Sequence, residues 1–247
     1  MTGAEVVAGR PGGLLLVCDH ASNLVPPGVD LGVPAAVMQT HIAFDIGAGS
    51  LARALGRRLG APVVLGRWSR LVADCNRPSD HPQFLVEESD GVPVPGNRGL
   101  EGRRRAEREA IHRSFHGTLA RAIERYRPVL LVSVHSFTPT LALDPRPRPW
   151  PVAVLWNRDA RAAGRALAAL ARDPRVPGPV GANEPYSGRV LNYTMDRHAE
   201  AAGLAYLGLE LRQDGIADAA GVARWAAVLG DCLGDLVREL AAAADAP

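Results

Sequence analysis

Two histidines far apart in the chain, His20 in VCDHASN and His135 in LLVSVHSFTP, fall where an apolar run turns polar within a residue or two. Neutral imidazole suits zinc, and a catalytic zinc usually takes three protein ligands and keeps one position open. A carboxylate is the expected third ligand, with Asp19, Asp45, Asp74 and Glu210 as candidates. A further carboxylate could then move a proton from water to a leaving amine. Arg77, beside Asn76, could hold a substrate carboxylate in a bidentate fork. Each residue also has a plainer explanation. A histidine at a strand end is commonly a hydrogen-bonded structural residue. Glu210, inside YLGLEL, could be half of a buried ion pair, because an unpaired charge there is costly. Asn76 and Arg77 could cap a strand.

Placement gives these residues weight together. Short apolar runs alternate with longer helical patterns: strands are expected at 13–18, 62–65, 71–73, 129–134, 152–156 and 205–210. Helices are expected after an N-cap at Asp45, over about 100–126, near 159–172 and 192–202, and over 218–243. A polar loop rich in proline and glycine covers about 78–99, and such loops are often functional. The alternation argues for one α/β domain over 1–247, with its core at about 13–243 and a mainly parallel sheet. Four polar clusters, at 19–23, 74–78, 135–139 and 210–214, sit at expected strand ends. In such sheets ligands bind at the carboxyl edge, so the clusters can converge there. Ser136 and Thr138 read as supporting or turn hydroxyls, since no His-Asp pairing marks either for activation.

His112 and His116 have the i, i+4 spacing of the HExxH zinc motif, but position 113 is Arg where that motif requires Glu. They are expected at the surface or boundary of the 100–126 helix, flanking the stripe Ile111, Phe115, Leu119 and Ile123. His116 is the one that could reach the pocket.

Composition narrows the function classes. The 28 basic residues are all Arg, which removes lysine nucleophiles and Schiff bases, and the net charge of +2 argues against a nucleic-acid partner. The GRRRAERE stretch mixes both signs within a helical turn and reads as a solvated face. The three cysteines, Cys18, Cys75 and Cys232, form no CxxC pair and cannot make an all-Cys zinc site. A cytoplasmic protein with no signal peptide and no membrane partner is expected.

Seven segments in order resemble one family: CDHASNLVP (18–26), HIAFDIGA (41–48), SRLVADCNRP (69–78), VSVHSFTP (132–139), RPW (148–150), NEPYSG (183–188) and LELRQD (209–214). Together they are similar to the N-formylglutamate amidohydrolases, whose fold is similar to that of zinc carboxypeptidases and aspartoacylase-type deacylases. The resemblance implies a three-layer αβα, zinc-exopeptidase-like (phosphorylase/hydrolase-like) fold with a mainly parallel or mixed sheet. It implies one zinc per chain, held by His20, Asp45 and His135, with Asp19 and His41 as rivals of Asp45. The carboxypeptidase pattern has Glu three residues after the first His, where this chain has Asn23. Glu210 matches the general base, Asn76 and Arg77 match the carboxylate-gripping pair, and Arg148 and Tyr186 could bind substrate. The implied reaction is hydrolysis of N-formyl-L-glutamate to glutamate and formate. Hydrolysis of another N-acyl amino acid or a small peptide is the alternative, and a non-catalytic binder of an acidic ligand is the alternative from a different class. A small-molecule substrate and a monomer or homodimer are expected.

Overall fold

The computed structural model describes residues 2–244; Met1 and residues 245–247, at the ends of the domain expected over 1–247, lie outside the described residues. Its centre is a run of strands so apolar that neither face can meet water. Strand β2 (Leu14–Cys18) and strand β6 (Leu130–Phe137) are buried at every position. Alternate side chains go to opposite faces. Leu14, Leu16 and Cys18 join one core, whereas Leu15 and Val17 join another.

The other strands of the sheet are β1 (Ala4–Val7), β3 (Val63–Gly66), β7 (Val152–Leu155), β8 (Val180–Ala182) and β9 (Tyr206–Arg212). A two-residue hairpin lies apart from it, β4 (Glu88–Ser89) with β5 (Val92–Pro93). The seven-stranded sheet has the order β1-β3-β2-β6-β9-β7-β8. Strands β3, β2, β6 and β9 are parallel, while β1 pairs antiparallel with β3 and β7 antiparallel with β9. The sheet is therefore mixed, with a parallel centre. Helices α1 (Ala48–Leu59), α3 (Arg161–Arg172) and α5 (Ala219–Ala244) pack on one face. Helices α2 (Gly102–Tyr126) and α4 (Tyr193–His198) contribute Phe115, Leu119, Tyr126 and Met195 to the other. This is the expected three-layer αβα arrangement.

The chain leaves β2 for β3 on one side and later returns to β6 on the other. The carboxyl end of β2 is thus a topological switch point, where open α/β sheets bind ligands. Asp19 and His20 follow that end directly.

Several local expectations are corrected. Leu71–Ala73 is not a strand but a buried turn, packed with Leu31, Ile42 and Val94 for Leu71 and Val72. The 74–78 cluster therefore does not end a strand; it belongs to a long excursion after β3. Asp45 does not cap α1. The helix begins at Ala48 behind Gly47, whose φ of 79° is in the left-handed region. A Cβ at Gly47 would come within 2.2 Å of the Ile216 carbonyl oxygen, so this turn needs glycine. The 78–99 loop contains the β4–β5 hairpin and a short 3-10 turn at Pro95–Asn97. The edge strands β1 and β8 were not anticipated.

Candidate active site

His135 and Glu210 are direct partners in the register of β6 and β9, so they lie side by side on one face of the sheet. His20 sits just past β2, the other neighbour of β6. Asp45 comes from the turn before α1, where its N–H donates to the His20 carbonyl at 3.0 Å. All four residues are buried, at 7% exposure or less, and line the floor of a cavity of about 510 Å³.

The two imidazoles are held in the same way. His20 Nε2–H donates to Asp74 Oδ1 at 2.8 Å, while its Nδ1 is 3.4 Å from Asp45 Oδ1. His135 Nε2 is 3.1 Å from Asp19 Oδ1, while its Nδ1 is 2.7 Å from Asp45 Oδ2. Each ring thus has one aspartate at Nε2 and shares Asp45 at Nδ1. Asp19 is fixed in turn by the Thr194 hydroxyl, which donates to Oδ2 at 2.6 Å.

This donor set fits a divalent cation. Asp19, His20 and His135 each offer a ligand atom within 4.8 Å of the others. Asp19 Oδ1, His20 Nδ1 and Glu210 Oε2 are buried without a hydrogen-bond partner, a costly condition that a cation would relieve. The field favours positive charge. Burial lowers the affinity of His135 for a proton, but Asp19 and Asp45 outweigh it and push the pKa up to about 10. His20 is likewise raised, by Asp74, Asp45 and Asp19 against burial and Arg70. Burial pushes the Glu210 carboxyl up to about 7, against the pull of His135. Asp45 is lowered despite its burial, because both histidines face it.

Asn76, Arg77 and Tyr186 line the same cavity. The Arg77 Nη1 donates to the Asn76 carbonyl at 2.8 Å, and its buried Nε has no partner. Arg148 does not line the cavity. It lies behind Tyr186, donating to the Tyr186 hydroxyl at 3.0 Å and the Thr138 carbonyl at 3.3 Å. His41 faces the outer cavity and meets Asp90 at 3.2 Å, away from the other histidines' aspartates. Ser136 and Thr138 donate to the carbonyls of Ile46 and Thr140, as turn hydroxyls do. The sequence reading missed Arg70, which lines the cavity 2.8 Å from Asp74 and 3.6 Å from Asp45. Only its place four residues before Asp74 hinted at that pairing.

The expectation for His112 and His116 is corrected: they are 3% and 1% exposed. Helix α2 packs this side against the 75–77 segment and α4. His112 Nε2–H donates to the Arg77 carbonyl at 2.9 Å, and His116 Nε2–H to the Cys75 carbonyl at 3.0 Å. His198 Nε2–H then donates to His116 Nδ1 at 2.9 Å. Donating from Nε2 while accepting at Nδ1 requires a neutral His116 ring. Burial, with the neighbouring His112, His198 and Arg197, holds His116 down to about 2, and burial with Arg197 holds His198 down to about 4. Their ordinary value is 6.5, so the unfolded chain takes up protons first on acidification. The stability contributed by neutral rings is complete above about pH 6.5 and drains as the pH falls toward 4. Each such ring steepens the loss by up to about 1.4 kcal/mol per pH unit. Denaturant unfolding followed from pH 7 to 4 should show this slope, and His116→Gln should flatten it; an unchanged slope would show that the ring titrates normally.

A family model described as N-formylglutamate amidohydrolase matches residues 12–217. The chain belongs to this family. Members hydrolyse amide bonds, so the chain is an amidohydrolase, and the reading of it as a non-catalytic binder is set aside. The structure of a gene product from Agrobacterium tumefaciens is similar at 32% identity, covering 97% of this chain and 96% of that one, with a TM-score of 0.89. An N-formylglutamate amidohydrolase from Ralstonia eutropha JMP134 has the same fold at 17% identity, covering 97% and 99%, with a TM-score of 0.66. No curated protein sequence matches the chain. Among the described residues, no helix is long and apolar enough to cross a membrane.

Proposed function

We propose that this amidohydrolase is zinc-dependent and removes the N-formyl group of an acidic amino acid, with N-formyl-L-glutamate as the reference substrate. The observation that carries the reading is the convergence of two aspartate-braced imidazoles on Asp45, beside Glu210, on the floor of a cavity that also exposes Arg77. His20 and His135 would hold the metal through Nδ1, and Asp45 would be the third ligand. Asp74 then orients the His20 ring from Nε2, the arrangement that fixes a ligand's tautomer and raises its basicity, and Asp19 stands 3.1 Å from His135 Nε2. Asp19 is the rival ligand. Zinc supplies Lewis acidity toward the scissile carbonyl and toward water.

The remaining work falls to the chain itself. Glu210 accepts a proton from the attacking water at its carboxylate and returns it to the departing nitrogen. Burial raises the Glu210 carboxyl above its ordinary value, which suits it to take and return a proton. Arg77 and Asn76 grip the substrate carboxylate, and Tyr186, steadied by Arg148, closes one side. The products are formate and the free amino acid.

The cavity volume favours a second reading. N-formylglutamate has only about a dozen non-hydrogen atoms, whereas pockets of about 300–1,000 Å³ accept drug-sized ligands. At about 510 Å³ this cavity could take a longer N-acyl group. A panel of N-formyl, N-acetyl and N-succinyl amino acids, assayed with and without added zinc, tests both. Formate release that depends on metal and is fastest with formylglutamate is expected. Cleavage of acetyl or succinyl substrates alone would exclude deformylation and leave the zinc hydrolase intact.

A further inference from the structure

Segment 75–77 has no strand or helix to define its shape, yet it carries the arginine proposed to grip substrate. Its backbone is tethered by side chains. The Cys75 carbonyl accepts from His116, the Asn76 carbonyl from Arg77 itself, and the Arg77 carbonyl from His112. The Asn76 side chain accepts from the Thr194 N–H at 3.0 Å. Two of these tethers come from one face of α2, a turn apart. The rings are themselves locked. His112 lies edge-on to Phe84 at 5.3 Å and stacks with Tyr193 at 5.8 Å, and His116 meets the Tyr193 ring edge-on at 5.3 Å. Burying imidazoles costs more than burying leucines unless their N–H groups are used. Here both face carbonyls flanking Asn76, with the two Nε2 atoms 3.1 Å apart.

We infer that His112 and His116 are positioning residues: from the buried side of α2 they fix the 75–77 backbone, and so the aim of the Arg77 guanidinium, without touching substrate. This rests on the proposed reading that Arg77 grips a substrate carboxylate. An imidazole suits the task because its Nε2–H stands far from the backbone on a rigid ring. A contact misplaced by about 1 Å can cost as much as a hundredfold in rate.

The test compares His112→Leu, which removes the donor, with His112→Gln, whose amide N–H reaches a similar position. Both are measured alone and combined with Arg77→Met, on the acidic N-acyl amino acid cleaved fastest in the panel above. His112→Leu should raise KM about tenfold or more, change kcat less than about twofold, and leave the bound metal per chain unaltered. His112→Gln should recover most of the KM. In the Arg77→Met background His112→Leu should add little, because the group it aims is gone. A general structural defect would instead lower kcat, metal content and thermal stability in both backgrounds. That result, or an unchanged KM in His112→Leu, overturns the inference. An unchanged KM in Arg77→Met would defeat the carboxylate grip, and the inference with it. If His112→Leu does not fold, His112→Asn keeps polarity but falls short of the carbonyl, and the same KM difference from His112→Gln is required.

Discussion

Glu210→Gln is expected to fold, to bind its metal, and to lose nearly all turnover. The substitution keeps the shape of the side chain and removes only its capacity to take a proton. A positioned general base or acid contributes about 10²–10⁴-fold, so kcat should fall by about that factor while KM changes little. Stability should not fall. Glu210 is buried, its Oε2 has no hydrogen-bond partner, and burial already pushes its carboxyl up to about 7; a neutral amide at that place avoids burying a charge. Two measurements suffice, metal content and single-turnover formate release. Normal turnover would remove Glu210 from the mechanism. Loss of the metal would move it from base to ligand.

His135→Ala should release the metal and reduce hydrolysis to background, a loss worth several kcal/mol of transition-state stabilisation. It has a second expected effect. The ring lies against Asp45 at 2.7 Å and Asp19 at 3.1 Å, so its removal leaves Asp45 with only His20 and Arg70 and Asp19 with the Thr194 hydroxyl. Breaking a buried pair on one side typically costs about 3–5 kcal/mol, and the melting temperature should drop even in chelator. Asp45→Asn and Asp19→Asn separate the two candidate third ligands. Loss of Asp45 should abolish binding, whereas loss of Asp19, which braces a ring, should weaken affinity by about 10–100-fold. The reverse pattern, read by metal titration, would exchange their roles.

The central strands and the polar residues at their ends could be read from sequence because of how they are buried. A strand covered on both faces must be apolar throughout, so β2, β6 and β9 stood out, and with them His20, His135 and Glu210. Edge strands carry no such pressure. None of the four β1 residues is buried, and β8 is three residues long. Leu71–Ala73 looked like a strand because three apolar residues can equally line the underside of a turn. His112 and His116 flank the apolar stripe of α2, which argues for a surface or boundary place, yet one position beyond Ile111 and Phe115 they widen the buried face. Arg70 acquires meaning only when the 69–78 excursion and the turn bearing Asp45 are brought together in space.

The pairing of His135 with Glu210 across β6 and β9 has a consequence for how such an enzyme can change. Their separation is one strand spacing, about 4.8 Å, set by backbone hydrogen bonds. A single-residue insertion in either strand would slip that ladder and send one of the two to the opposite face. The pair proposed as ligand and base is therefore a fixed ruler that tolerates no gradual adjustment. Outside it, the hairpin carrying Glu88–Pro93 and the stretch bearing Leu141 and Leu143 form the outer wall and belong to no part of the main sheet. A library seeking new acyl preferences should place its diversity, including length changes, in those two segments and leave both strands untouched.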